Sequence, residues 1–138
     1  MRPFCSILIA EHKKEPAMLP ENLTAAIEDA ITACEKKYNE VRHDPYLSHV
    51  AAAHLDTLGG LYKRLTDGMT PDELTAALAS ELPKLIAYRD AESEHPSFDW
   101  YNEHYHYLRA EGRCDAYEEM IGILNDMRCV RRDDRDPQ

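Results

Sequence analysis

The sequence predicts an all-α protein: a single-domain antiparallel bundle of four or five helices, the longest of them C-terminal. Three observations predict it. Apolar residues recur at intervals of three and four along most of the chain, the period of a helix with one buried face. Strong helix punctuation, Asp-Pro, Asp-Gly and Thr-Pro-Asp-Glu, divides those runs at short intervals. Glycines number only five in 138 residues, while Ala, Leu, Glu and Asp are abundant, a composition that leans towards helix. A chain of this length buries roughly two-thirds of the surface its unfolded form exposes, so one core suffices and no disulfide staple is needed. No repeat or interior linker divides residues 1–138.

Residues 1 to about 19 read as an N-terminal arm. Its apolar run, FCSILIA at 4–10, lacks a basic leader and an A-x-A cleavage site and is far too short to span a membrane. A short strand, a helical turn and an arm reaching a second protomer all fit it. Pro20 opens the first helix, in which Leu23, Ile27, Ala30, Cys34, Tyr38 and Val41 form one stripe that ends near His43. Asp44-Pro45 then supplies an N-cap and a first-turn proline, and Leu47, Val50, Ala51, His54, Leu58, Leu61 and Leu65 carry a second stripe. Gly59-Gly60 interrupts it, which predicts a kink or the close approach of another backbone.

Asp67-Gly68 closes the second helix, and Thr70-Pro71-Asp72-Glu73 opens the third with a cap, a proline and a glutamate placed for a capping box. Leu74, Leu78, Leu82, Leu85 and Ile86 follow; Pro83 removes a backbone donor and predicts a bend or a break. The segment runs to about Glu94, where His95-Pro96-Ser97 stops it and caps the last helix, from about Phe98 to about Arg128. Residues from about 129 to 138, with RRDDRDPQ at their end, read as a flexible charged tail.

On a helical wheel Phe98, Tyr101, Tyr105, Leu108, Gly112, Ala116, Ile123 and Met127 fall on one face, the predicted core stripe of the last helix. Gly112 and Ala116 sit four apart at its centre, a small-residue step that lets a neighbouring helix approach closely. Asp99, Glu103, His106, Ala110 and Arg113 fill a third, mostly polar sector. Trp100, His104 and Tyr107 form a second ridge on the first turns, beside Asp99 and Glu103. These five residues are the predicted partner-binding site, because desolvated tryptophan and tyrosine dominate interface energetics. Capping by neighbouring helices is the bland alternative for the ridge.

A formal net charge of -10 repels phosphate backbones and anionic lipid, so neither direct nucleic-acid binding nor a membrane-surface role is expected. Cys5, Cys34, Cys114 and Cys129 are far apart and show no zinc-ribbon spacing; reduced, mostly buried thiols in a cytoplasmic protein are the expectation. Of the seven histidines, His49 and His54 point roughly 140° apart on their helix and His104 and His106 roughly 200°, so neither pair grips one ion. Glu40 to His43 and Glu92 to His95 match Glu-x-x-His, the spacing of di-iron bundles, but both sit at helix ends, and the apolar stripes carry no inward glutamates. The expectation is therefore no metal and no cofactor. Nucleophile elbows, phosphate-cradling loops and His-Glu-x-x-His are absent from the sequence, so no catalytic residue is assigned and no enzyme is expected.

The expected function is that of a small acidic helical protein-protein interaction module. In size, acidity and lack of catalytic motifs the chain is similar to the small inhibitors carried by phages and mobile elements, such as anti-CRISPR proteins. The likeness is one of general character and assigns no residue a role. What it implies is an inhibitor whose acidic side chains cover a basic nucleic-acid-binding cleft of another protein; a homodimer contact is the other occupant considered for the ridge. Two alternatives belong to other classes. A metal-binding helical-bundle enzyme rests on the histidines, and a helix-turn-helix DNA-binding regulator on the Thr70–Glu73 helix start, against which the net charge counts.

Overall fold

Local punctuation acts where the sequence places it. A computed structural model describes residues 19–93 and 103–135, with side chains described over 19–93 and 105–127. Pro20 (φ -56°, ψ 140°) leads into α1, Glu21–Val41, and its carbonyl accepts from the Thr24 N–H at 3.0 Å. Asp44 caps the start of α2, Leu47–Thr66: its Oδ1 accepts from the backbone N–H groups of Tyr46 and Leu47, both at 2.8 Å. Those two donors hold the Asp44 carboxyl below the usual carboxylate range.

The end of α2 needs a left-handed residue, and Gly68 supplies it at φ +125°. The Gly68 N–H then reaches the Leu65 carbonyl at 3.2 Å and the Met69 N–H the Arg64 carbonyl at 3.0 Å, the two bonds of a Schellman motif. The capping box forms at α3, Pro71–Ser93: the Glu73 N–H donates to Thr70 Oγ1 at 3.0 Å, and the Thr70 N–H donates back to Glu73 Oε1 at 2.9 Å. The last helix, α4, spans Glu103–Arg135.

Two sequence expectations are narrowed and one is corrected. α3 runs through Pro83 without a break, and Pro83 and Ala79, the residue whose carbonyl loses its helical donor, are both exposed. α2 runs unbroken through Gly59 and Gly60, and a Cβ built on either meets nothing within 4 Å, so the pair makes no room for another backbone. α4 stays helical to Arg135 rather than ending near Arg128. The N-terminal arm and the His95-Pro96-Ser97 stop lie outside the described residues.

The open space around the two glycines has a measurable consequence. Replacing both with alanine is expected to stabilise the protein by about 1–2 kcal/mol, since alanine removes backbone freedom from the unfolded chain and nothing obstructs the new methyls. Chemical denaturation checks it; a loss of stability would mean that a close neighbour exists.

Leu23, Ile27, Leu58, Leu65, Leu74, Leu78, Met120 and Leu124 are fully buried and knit the four helices into one core. α4 lies at its centre, packed mainly on α2 and α3, while α1 covers α2. Sequential helices run antiparallel, as the short connections predict. α2 and α4 therefore run in the same sense: His49 meets Tyr105 near their starts, and Arg64 approaches Tyr117 further along.

The central position changes which face of α4 is buried. The predicted stripe holds at Gly112 and Ala116, but Tyr105 is 38% exposed and Ile123 and Met127 are only half-buried. A second line, Ala110, Cys114, Tyr117, Met120 and Leu124, is buried instead, including Ala110, which the wheel placed in a polar sector. A helix with neighbours on several sides buries an arc wider than one stripe.

Candidate functional site

Of the five predicted partner-binding residues, Asp99 and Trp100 lie outside the described residues. Glu103 and His104 fall in the first turn of α4 with their side chains outside the description. Tyr107 is half-buried. Burial, followed by its hydrogen bond to Glu111 and that group's charge, raises its phenol above the usual range, while Arg89 of α3 acts in the opposite sense.

One turn away, α4, Tyr88 of α3 and Asp56 and Thr57 of α2 line a shallow groove. Its walls are Tyr88, 44% exposed, and Tyr105, 38% exposed, with Arg109 and Arg113 between them. The same wall continues past Tyr88 and Arg113 to Lys84. Tyr105 is held from three sides: the His49 ring meets it edge-on at 4.9 Å, His106 at 5.5 Å, and the Arg109 guanidinium sits 5.6 Å from its ring centre. The sequence assigned Tyr105 to the core, and nothing in helical periodicity alone marks a cationic groove on an acidic protein.

Beneath the Lys84 end of the groove, three helices are tied by a polar network. Arg64 of α2 donates twice to Glu81 of α3, both bonds at 3.2 Å, and the Tyr117 hydroxyl of α4 donates to Glu81 Oε1 at 2.6 Å. The Arg64 and Tyr117 bonds hold the Glu81 carboxyl below its usual value. A carboxylate with a depressed folded pKa contributes stability above its unfolded pKa and loses it as pH falls through the folded value. Acid titration of stability is therefore expected to show a shallower loss in Glu81→Gln than in the parent protein; identical acid limbs would contradict this role.

A second cluster joins α1, α2 and α4. His54 Nε2 lies 2.7 Å from Glu119 Oε1, where a ring N–H donates to the carboxylate, and the Cys34 S–H approaches the same oxygen at 4.0 Å. The ligand atoms of all three lie within 4.8 Å of one another, in a cleft also lined by Ala33, Lys37 and Ala51. Burial, with the Glu119 and Glu35 charges, pushes the Cys34 thiol up to about 11. A thiol so shifted is protonated at neutral pH, the reverse of an activated nucleophile. Sequence reasoning missed this group because its members stand on three different helices. The available signal was a cysteine and a histidine set into the apolar stripes of two neighbouring helices.

Among the described residues no helix is long and apolar enough to cross a membrane. Comparison with protein-family models, with curated proteins and with solved structures finds no match to this chain.

Proposed function

We propose that this protein is an interaction module, a small acidic helical bundle that acts by occupying a surface of another protein. The observation that carries the reading is the α3–α4 groove, where two exposed tyrosines flank two arginines. Tyrosine and arginine are the residue types enriched at interface hot spots, and a ring already held by His49, His106 and Arg109 loses little freedom on binding. Lys84, Arg109 and Arg113 along its wall outnumber the lining carboxylates Asp56 and Glu81, and Glu81 is already paired with Arg64, so the groove suits a carboxylate-bearing segment of the partner.

The inhibitor of a basic nucleic-acid-binding cleft is the second reading. It draws on α1, whose outer face exposes Glu21, Glu28, Asp29, Glu35 and Glu40, interrupted by Lys36 and Lys37. The two readings use different faces, so charge reversal separates them.

Cross-linked pull-down from native host cells is the test, using the parent protein, a Tyr88→Ala/Tyr105→Ala variant, an Arg109→Glu/Arg113→Glu variant and a Glu28→Lys/Glu35→Lys variant, each verified as folded. A partner lost from the groove variants and kept by the α1 variant supports the groove. Loss from the α1 variant alone moves the contact to the acidic face and favours the basic-cleft inhibitor. Retention of every partner by all three variants overturns both readings. Trp100→Ala run alongside reports on the ridge expected from the sequence, and sedimentation of the purified protein shows whether a second copy is the occupant.

A further inference from the structure

We propose that Cys34, His54 and Glu119 form a binding site for one divalent transition-metal ion of the zinc class, with the fourth coordination position open to the cleft. The three donors come from three helices, α1, α2 and α4, so their backbones are fixed by the bundle and not by a loop. Their ligand atoms already lie within 4.8 Å of one another.

Bond lengths of about 2.0–2.3 Å in a tetrahedral site put ligand atoms about 3.3–3.6 Å apart. Reaching that geometry from the metal-free arrangement requires His54 Nε2 and Glu119 Oε1 to part from 2.7 Å, Cys34 Sγ to close on Oε1 from 4.0 Å, and Cys34 Sγ and His54 Nε2 to close from within 4.8 Å. The first two changes are on the order of half an ångström and the third at most about 1.2 Å against that tetrahedral spacing, within the reach of side-chain torsions.

The donor set selects the ion. A thiolate, an imidazole and a carboxylate suit zinc or cobalt and disfavour magnesium and calcium, which take oxygen ligands. Bound as thiolate and carboxylate, two of the three donors balance the ion's two positive charges. Binding exchanges the Cys34 S–H proton for the metal, and that proton leaves to solvent; His54 must also give up its Nε2 proton to bind through that nitrogen, shifting through solvent to the tautomer protonated at Nδ1. Ala33 and Ala51 form small walls on the cleft and leave room for water or another small ligand at the fourth position, while Lys37 is a lining cation that opposes the ion. Asp115, one turn before Glu119, lies near enough to His54 to interact with it electrostatically, which places a further carboxylate in the neighbourhood of the ring.

The same residues form a hydrogen-bonded group without metal, so the test must register the ion. Full-length protein, chelator-treated and kept reduced, is titrated with zinc by calorimetry and with cobalt by absorption spectroscopy. The expected result is one ion per chain, a thiolate-to-cobalt charge-transfer band and a rise in melting temperature with zinc. Cys34→Ser should abolish the band, and His54→Gln and Glu119→Gln should each weaken binding by at least about tenfold. Cys114→Ser and Cys129→Ser should leave binding intact. Circular dichroism of the metal-free variants verifies folding; if Cys34→Ser fails to fold, His54→Gln and Glu119→Gln decide the matter. Absence of saturable binding, or a band that survives in folded Cys34→Ser, overturns the site. The groove does not enter this test, so either proposal can fail without the other.

Discussion

Replacing Gly112 by alanine is expected to destabilise the protein by about 3 kcal/mol and to lower its melting temperature by about 10 °C. A Cβ at this position would overlap the Val50 carbonyl oxygen and stand 2.9 Å from both Ala53 Cβ and the His54 backbone nitrogen. Two of those three atoms are main chain and cannot rotate aside, so α2 itself must move. Alanine's better helix propensity returns about 1 kcal/mol, too little to offset the overlap. Denaturant unfolding reads the difference, and a neutral or stabilised Gly112→Ala would show that α2 and α4 do not meet here. The shift would also carry His54 away from Glu119 and His49 away from Tyr105, so one methyl group disturbs both the candidate metal cluster and the groove.

Met120→Ala is expected to cost about 2–5 kcal/mol. Met120 is fully buried among the residues that hold α4 in the core. Removing most of its side chain leaves a cavity that rigid helices close only in part. Met120→Leu keeps the volume and is expected to cost less than about 1.5 kcal/mol. The contrast between the two substitutions measures packing separately from chemistry; equal effects would indicate a loosely packed position.

The helices were legible because their ends are local. Asp44, Gly68 and the Thr70–Glu73 box each act through hydrogen bonds to backbone groups within a few residues, so short sequence windows contain the whole cause. The stripes of α1 and α2 were legible for a similar reason, since each helix presents mainly one face to the core, apart from Leu47, which is 48% exposed at the start of α2. α4 was harder. Periodicity identifies a buried face but cannot say how many neighbours a helix has, so Tyr105 was placed inside and Ala110 outside, and the structure reverses both.

The candidate sites were less legible still. Cys34, His54 and Glu119 come together only once α1, α2 and α4 are packed, and intrahelical spacing, the basis on which the histidines were judged, contains no information about that. The groove has the same origin. Tyr88 and Arg113 are far apart in sequence and become neighbours because α3 packs against α4 in the opposite sense. Gly112 is the exception, because a small-residue step in a helix states a close approach without naming the helix that makes it.

The common cause of these features is α4 at the centre of the bundle, with α2 alongside it in the same sense. Hydrogen exchange on the full chain tests that arrangement most directly. Amides over residues 110–124 of α4 and 51–65 of α2 should exchange together, and only through global unfolding. Exchange of the α4 segment through a cheaper opening that leaves α1, α2 and α3 protected would contradict the account.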